Sequence, residues 1–155
     1  MAVVDYFLKI EGIPGESQDK LHRGEIDVLS FSWDISRSRN PRRGPADFQI
    51  VKTVDAASPL LFQAACQGTS PGQAVFVARK AGRDQQEFLK ITLKEVIITS
   101  VSPSSVSSGD APVEVVHLGF RSAAMDVVTQ KADGSAGPTV SGTCDAGSCD
   151  DDGSR

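Results

Sequence analysis

No apolar run in the 155-residue chain approaches the roughly 20 residues a helix needs to cross a bilayer, which argues against helical membrane insertion. Cysteine is scarce: Cys66, Cys144 and Cys149 are too few to form a disulfide framework in a chain of this size. Histidine is scarcer still, with His22 and His117 alone. There is no nucleophile elbow, phosphate loop or dinucleotide fingerprint, so no catalytic, cofactor-binding or metal site is expected and the chain does not read as an enzyme. The opening Met1 to Tyr6 has neither the basic flank nor the apolar centre of a signal peptide. An excess of one charge sign is also missing from most of the chain. Beyond Lys131 stand Asp133, Asp145, Asp150, Asp151 and Asp152 against Arg155; removing these from 20 acids and 16 bases leaves 15 of each in residues 1–131. A neutral body has no general attraction for nucleic acid or an anionic membrane, and copies of it approach one another without repulsion.

What is present is globular. With 39% hydrophobic and 23% charged residues, the chain has the composition and length of one domain, hiding about 70% of its unfolded surface. Period-two alternation predicts strands at Tyr6–Ile10, Glu25–Ile35, Ala74–Lys80, Phe88–Val101, Val113–Phe120 and Met125–Val128. Residues 81–85 read as a hairpin loop and Ser102–Gly109 as a Ser/Pro connection. Three of the strands change phase partway: Ile26 and Val28 give way to Leu29 and Phe31, Leu93 to Val96, and Val115 to Val116. Such switches point to bulges, or to strands that bend around a barrel and change partners. One short helix is expected, with Ser58 as N-cap, Pro59 in its first turn, Leu61, Ala64 and Ala65 on its packed face and Gly68 closing it. The expected fold is mainly β, a barrel with one helix packed against it. Residues 1–131 form this domain and residues 132–155, rich in Gly, Ser and Asp, a flexible acidic tail.

The isolated polar residues carry little chemistry. His117 sits inside a predicted strand, a structural position. His22 follows Asp19 by three residues, so the two can share a local hydrogen bond. Cys66 reads as a buried, inert thiol. Cys144 and Cys149 can pair or join the nearby aspartates on a metal, but zinc normally takes four ligands, and no histidine is near. The marked cluster is Arg37, Arg39, Arg42 and Arg43, bounded by Pro41 and Pro45. No aromatics stand beside these arginines to stack on bases, so a protein contact is favoured over nucleic acid, alongside the alternative of a solvated loop.

Longer stretches are more specific. Gly15-Glu16-Ser17-Gln18-Asp19-Lys20-Leu21-His22, with Glu25-Ile26-Asp27-Val28-Leu29-Ser30 and Ser32-Trp33 after it, resembles the signature of the Hcp family, the haemolysin-coregulated tube subunits of bacterial type VI secretion systems. Asp55–Pro59, Arg79–Gly82, Glu87–Leu89, Leu93–Val96 and Gln130–Ser135 agree in the same order, so that the resemblance extends across nearly all of residues 5–135. The resemblance implies a β-barrel with one helix, assembled as a homohexameric ring. Rings stack into a tube that carries effector cargo, is capped by a spike protein and is driven out by a contractile sheath. It also implies a cytoplasmic stage followed by secretion through the machine. Where the family is often glycine-rich, this chain has its arginine cluster, and Arg37, Arg39, Arg42 and Arg43 become candidate contacts to the next ring. The alternatives are a tube protein of a phage-tail-like contractile injection particle, or a small-ligand-binding barrel.

Overall fold

The computed structural model describes residues 4–35, 47–81, 85–105 and 111–145. Its strands are β1 (Val4–Ile10), β2 (Ile26–Val28), β3 (Ser30–Asp34), β4 (Asp47–Thr53), β5 (Gly72–Lys80), β6 (Glu87–Ser104), β7 (Val113–Gly119), β8 (Ser122–Gln130) and β9 (Ala136–Asp145), with helix α1 (Ser58–Gln67) between β4 and β5. They run in the order β2-β1-β5-β6-β7-β4-β3, with β8 on β6 and β9 on β8. The two ends of this path, β2 and β3, are consecutive pieces of one run of chain. They flank Leu29, whose N–H donates to the Val51 carbonyl at 2.8 Å. A sheet that begins and ends on the same run must curl around its core, which is the barrel the phase switches anticipate.

Two of the three switches are changes of partner. At Leu29 the chain leaves β1, which holds β2, and joins β4, which holds β3. In β6 the break falls at Glu95, whose φ of +51° is rare for a residue with a side chain. Before it Leu89–Lys94 pairs with β8, and beyond it Ile97–Ser104 pairs with β7. The third expected switch is absent. β7 alternates without a break, Glu114, Val116 and Leu118 facing inward. The irregularity comes from reading Glu114 as an outward residue when it is buried opposite Lys52 of β4.

The same pair explains a strand that the sequence pattern does not anticipate. β4 points Phe48, Ile50 and Lys52 inward, and a lysine at the third position hides the alternation. Lys52 Nζ reaches Glu114 as an ion pair, Asp55 Oδ1 at 2.8 Å and Ser58 Oγ at 3.1 Å, while the Ser58 hydroxyl donates to Glu114 at 2.6 Å. Ser58 is thereby the first residue of α1 rather than its cap, and Ala57 takes the cap position. Gly68 ends the helix at φ +67°, as expected. Leu61 and Ala64 turn into the core, with Ala65 packed against it. Cys66 lies on the opposite side of the helix and is exposed, not buried, because it is five residues beyond Leu61 and the packed stripe has turned away from it.

The barrel interior is filled by Leu8, Ile26, Phe48, Ile50, Phe76, Ile91, Leu93, Ile98 and Leu118. Burying each such side chain stabilises the fold by about 1.5–3 kcal/mol. Tyr6, Phe31, Phe48 and Phe76 form a connected aromatic group, with Phe31 and Phe76 centroids 4.6 Å apart. Trp33 meets Phe48 and Phe120 edge-on at 6.0 and 6.1 Å.

The expected flexible tail is corrected in part. Ala136–Asp145 is a strand, paired with β8 from Gln130↔Ala136 to Ser122↔Asp145. Its composition cannot support a core, but a strand added to an existing edge needs only main-chain hydrogen bonds and a turn. Gly134, at φ +90°, supplies that turn with its N–H on the Lys131 carbonyl at 2.9 Å.

Candidate functional site

The outer face of β1 and β5 carries Phe7, Val77 and Arg79, all buried although they point away from the barrel interior. The cover is the chain from Pro14 to Glu25. It doubles back on itself through main-chain hydrogen bonds: Gly15 N–H to Gly24 O at 2.8 Å, Ser17 N–H to Glu25 O at 2.9 Å, and Gly24 N–H to Ser17 O at 2.9 Å. Gly15 is required by close approach, since a Cβ there would stand 2.5 Å from the Glu25 carbonyl oxygen and 2.7 Å from Ile26 Cα.

The cover is fastened by charge. Arg79 presents two guanidinium nitrogens to the two carboxylate oxygens of Asp19 at 2.9 and 2.8 Å, and one of them reaches Asp5 at 3.1 Å. Such a fork is the strong form of a charged hydrogen bond. It holds the Asp19 carboxyl down at about 2, from an ordinary 3.8, with the Leu21 N–H adding to the effect and burial opposing it. The guanidinium carbon also lies 4.9 Å from the centre of the Phe7 ring. His22 stacks on Phe7 with ring centres 4.3 Å apart, and its two ring nitrogens meet Glu25 at 2.9 Å and Glu87 at 2.7 Å.

His22 is therefore not bonded to Asp19, as their spacing allows. Asp19 belongs to Arg79, and the histidine joins its own segment to the start of β6. Both of its nitrogens are occupied by carboxylates, so the arrangement works as a lock on the cover. His117 in β7 is half-buried, with Nδ1 2.7 Å from Asp47 at the start of β4, a structural position. Stretches quoted separately from the sequence, Gly15–Glu25, Arg79 and Glu87, meet here at one place.

Assembly depends on what the body leaves uncovered. Large apolar side chains remain exposed at Leu21, Leu29, Phe62, Ile97, Met125, Val127 and Val140, three of them on the β8–β9 ribbon. Trp33 and Ile35, at the end of β3, line an open groove of about 410 Å³ with Ala123, Met125, Gly142 and Cys144 of that ribbon. Cys144 is a free, half-buried thiol opposite Ala123, and Cys149 lies outside the described residues. So do Arg37, Arg39, Arg42 and Arg43. Among the described residues, no group of three or more His, Cys, Asp or Glu side chains has the geometry to hold a metal, and no helix is long and apolar enough to cross a membrane.

Comparison with known proteins agrees with this geometry. Residues 7–127 match the sequence model of the family described as type VI secretion system effector, Hcp. The chain is 40% identical over 141 residues to protein hcp1 of Pseudomonas aeruginosa, covering 84% of this chain and 87% of that one. Among solved structures, Hcp1 from Salmonella typhimurium superposes with a TM-score of 0.82 at 37% identity, over 96% of this chain and 97% of that one. A type VI secretion system effector from Yersinia pestis superposes with a TM-score of 0.76 at 32% identity, over 91% of this chain and 99% of the other. The segment matched by the family spans the Arg79–Asp19–His22 lock and the barrel strands from β1 into β8, and the chain belongs to the Hcp family of type VI secretion proteins.

Proposed function

We propose that six copies of the chain close into a ring around a wide channel and that the rings stack as the inner tube of a type VI secretion machine. Effectors ride in the channel, a spike protein caps the tube, and a contractile sheath drives it out. The subunit is made in the cytoplasm and leaves the cell with the tube. The observation that carries this reading is the match in fold to Hcp1 across nearly the full length of both chains. The balance of acids and bases in residues 1–131 supports it, because a subunit surrounded by copies of itself must not repel them. The role is structural: catalysis would need a positioned base and nucleophile, and the polar side chains of the lock are spent on one another.

Arg37, Arg39, Arg42 and Arg43 are assigned to the contact between stacked rings. Four guanidinium forks within seven residues suit an acidic surface on the next ring. The test is negative-stain imaging of the purified chain with a light-scattering mass on the same sample. Six-fold rings with an open centre are expected, and a monomer at high concentration counts against the reading. Reversing charge at Arg42 and Arg43 (R42E with R43E) shortens or abolishes stacked tubes while leaving single rings; tubes of unchanged length remove the arginines from the stacking contact.

A further inference from the structure

His22 stands between two acceptors. Its Nδ1 is 2.9 Å from a carboxylate oxygen of Glu25, and its Nε2 is 2.7 Å from one of Glu87. Ionised carboxylates only accept hydrogen bonds, and a neutral imidazole carries a single N–H. With one hydrogen, the ring bonds one glutamate and turns a lone pair toward the other. With a hydrogen on each nitrogen it bonds both. Water has little room to make good the difference, because His22 is 6% exposed and lies flat on Phe7, the two ring planes 9° apart.

The surroundings suit a cation at this place. Residues opposite one another in a ladder share a face, which puts Asp27, Val77 and Lys90 on the same side as Phe7, and Glu87 beside Arg79. Alternation along β1 adds Asp5 and Lys9. The cover itself brings Asp19, Lys20, Arg23 and Glu25. Of the bases, Arg79 is already matched by Asp19 and Asp5, and the other four are exposed to screening solvent. Arg83 and Asp84, in the loop before β6, lie outside the described residues.

The two glutamates are not equivalent. The Glu25 side chain is 14% exposed and belongs to the same segment as the histidine, whereas Glu87 is 43% exposed and opens β6. A carboxylate left without its donor costs less where water reaches it. A ring with one hydrogen therefore keeps it on Nδ1 for Glu25, and the bond that breaks is the one from the cover to β6. Asp19 stays on Arg79, so the stretch set free is residues 20–24.

We infer that His22 is a proton-operated latch: with hydrogen on both ring nitrogens it fastens the cover to Glu87 of β6, and loss of the Nε2 hydrogen releases that end of the cover. The closed form holds one proton more than the open one, so it is favoured at lower pH and lost as pH rises. The latch lies within one subunit and does not depend on the ring proposed above.

The freed stretch contains two trypsin sites, after Lys20 and after Arg23. The full chain is digested at pH 6 and pH 9, and each cleavage rate is divided by that of a short arginine peptide in the same buffer. In the unaltered chain both cuts are expected to be at least about fivefold faster at pH 9, the effect of losing one charge-assisted hydrogen bond. Glu87→Gln offers an amide that accepts from a protonated Nε2 and donates to a bare one, so E87Q is cut slowly at both pH values. His22→Phe keeps the stack on Phe7 without either bond and is cut fast at both. His117→Asn, which removes the other histidine, keeps the rise of the unaltered chain. Equal corrected rates in the unaltered chain overturn the latch. So does a rise in E87Q as large as that of the unaltered chain, or a rise abolished in H117N, because the titrating group then lies elsewhere. Should H22F fail to fold, E87Q and H117N decide the matter.

Discussion

Two ionic networks hold this subunit together, and they sit in opposite surroundings. Lys52, Glu114, Asp55 and Ser58 are enclosed beneath the start of α1, with the lysine side chain 0% and the glutamate 2% exposed. Arg79, Asp19, Asp5, His22, Glu25 and Glu87 lie on the outside of the sheet under a polar cover, where Asp5 and Glu87 still meet water. Inside, no water can replace a missing partner, so loss of one charge strands the others at a cost of about 3–5 kcal/mol. Outside, solvent relieves part of any loss, and the gain is positional: the fork of Arg79 fixes where twelve residues of irregular chain lie. The inner network sets whether the barrel is stable; the outer one sets the shape of its surface.

The largest effect expected from this contrast is at Lys52. Lys52→Met leaves Glu114 and Asp55 as two carboxylates without a cation, one fully enclosed, and is expected to lower stability by about 3–5 kcal/mol at fixed protein concentration. Adding Glu114→Gln to Lys52→Met removes the stranded charge while keeping an oxygen that can accept from Ser58, and recovers at least half of the loss. Urea midpoints of the two variants and the unaltered chain decide the matter. A cost below about 1 kcal/mol for Lys52→Met, the range of an exposed pair, erases the distinction between the two networks.

The contrast also accounts for what could be read from the residues alone. The outer network was legible because three of its members, Asp19, His22 and Glu25, sit in one compact run, Gly15 to Glu25, whose pattern carries the family resemblance; Arg79 and Glu87 fall in two of the shorter matching blocks. Which side chain bonds which was not legible, and spacing suggested His22 with Asp19 because sequence distance says nothing about β5 passing beneath. The inner network left a false trace instead. Lys52 and Glu114 are 62 residues apart, and each is a charged residue in an inward place. Periodicity therefore broke at both, hiding β4 and creating an apparent phase switch in β7. Real switches, at Leu29 and Glu95, were legible because they come from backbone geometry and not from an unexpected side chain. The strand at Ala136–Asp145 was missed for a different reason: its order is borrowed from β8, and no property of its own residues announces it.

The smaller effect lies with the outer lock and is read in acid. Asp19 has its pKa lowered from 3.8 to about 2 when folded, chiefly by the Arg79 fork. A group depressed on folding contributes stability that is complete above its unfolded value and is lost as pH falls through its folded one. The Asp19 contribution is therefore intact at pH 6, begins to fall near pH 4 and is largely gone at pH 2. Its size is about 1–2 kcal/mol after allowing for solvent screening of a partly exposed carboxylate. Asp133, in the exposed turn between β8 and β9, is also lowered, by the hydroxyl and N–H of Ser135, so the acid limb of the unaltered chain is not due to Asp19 alone. Comparison with Asp19→Asn isolates it. The variant starts lower by this amount at pH 6, and the two stability curves converge toward pH 2 because the unaltered chain has by then lost what the variant never had. Parallel curves from pH 6 to 2 would mean that the fork does not hold the cover down by charge. The outer network would then differ from the inner one in kind, with Gly15 and the main-chain bonds of the cover sufficient to keep its shape.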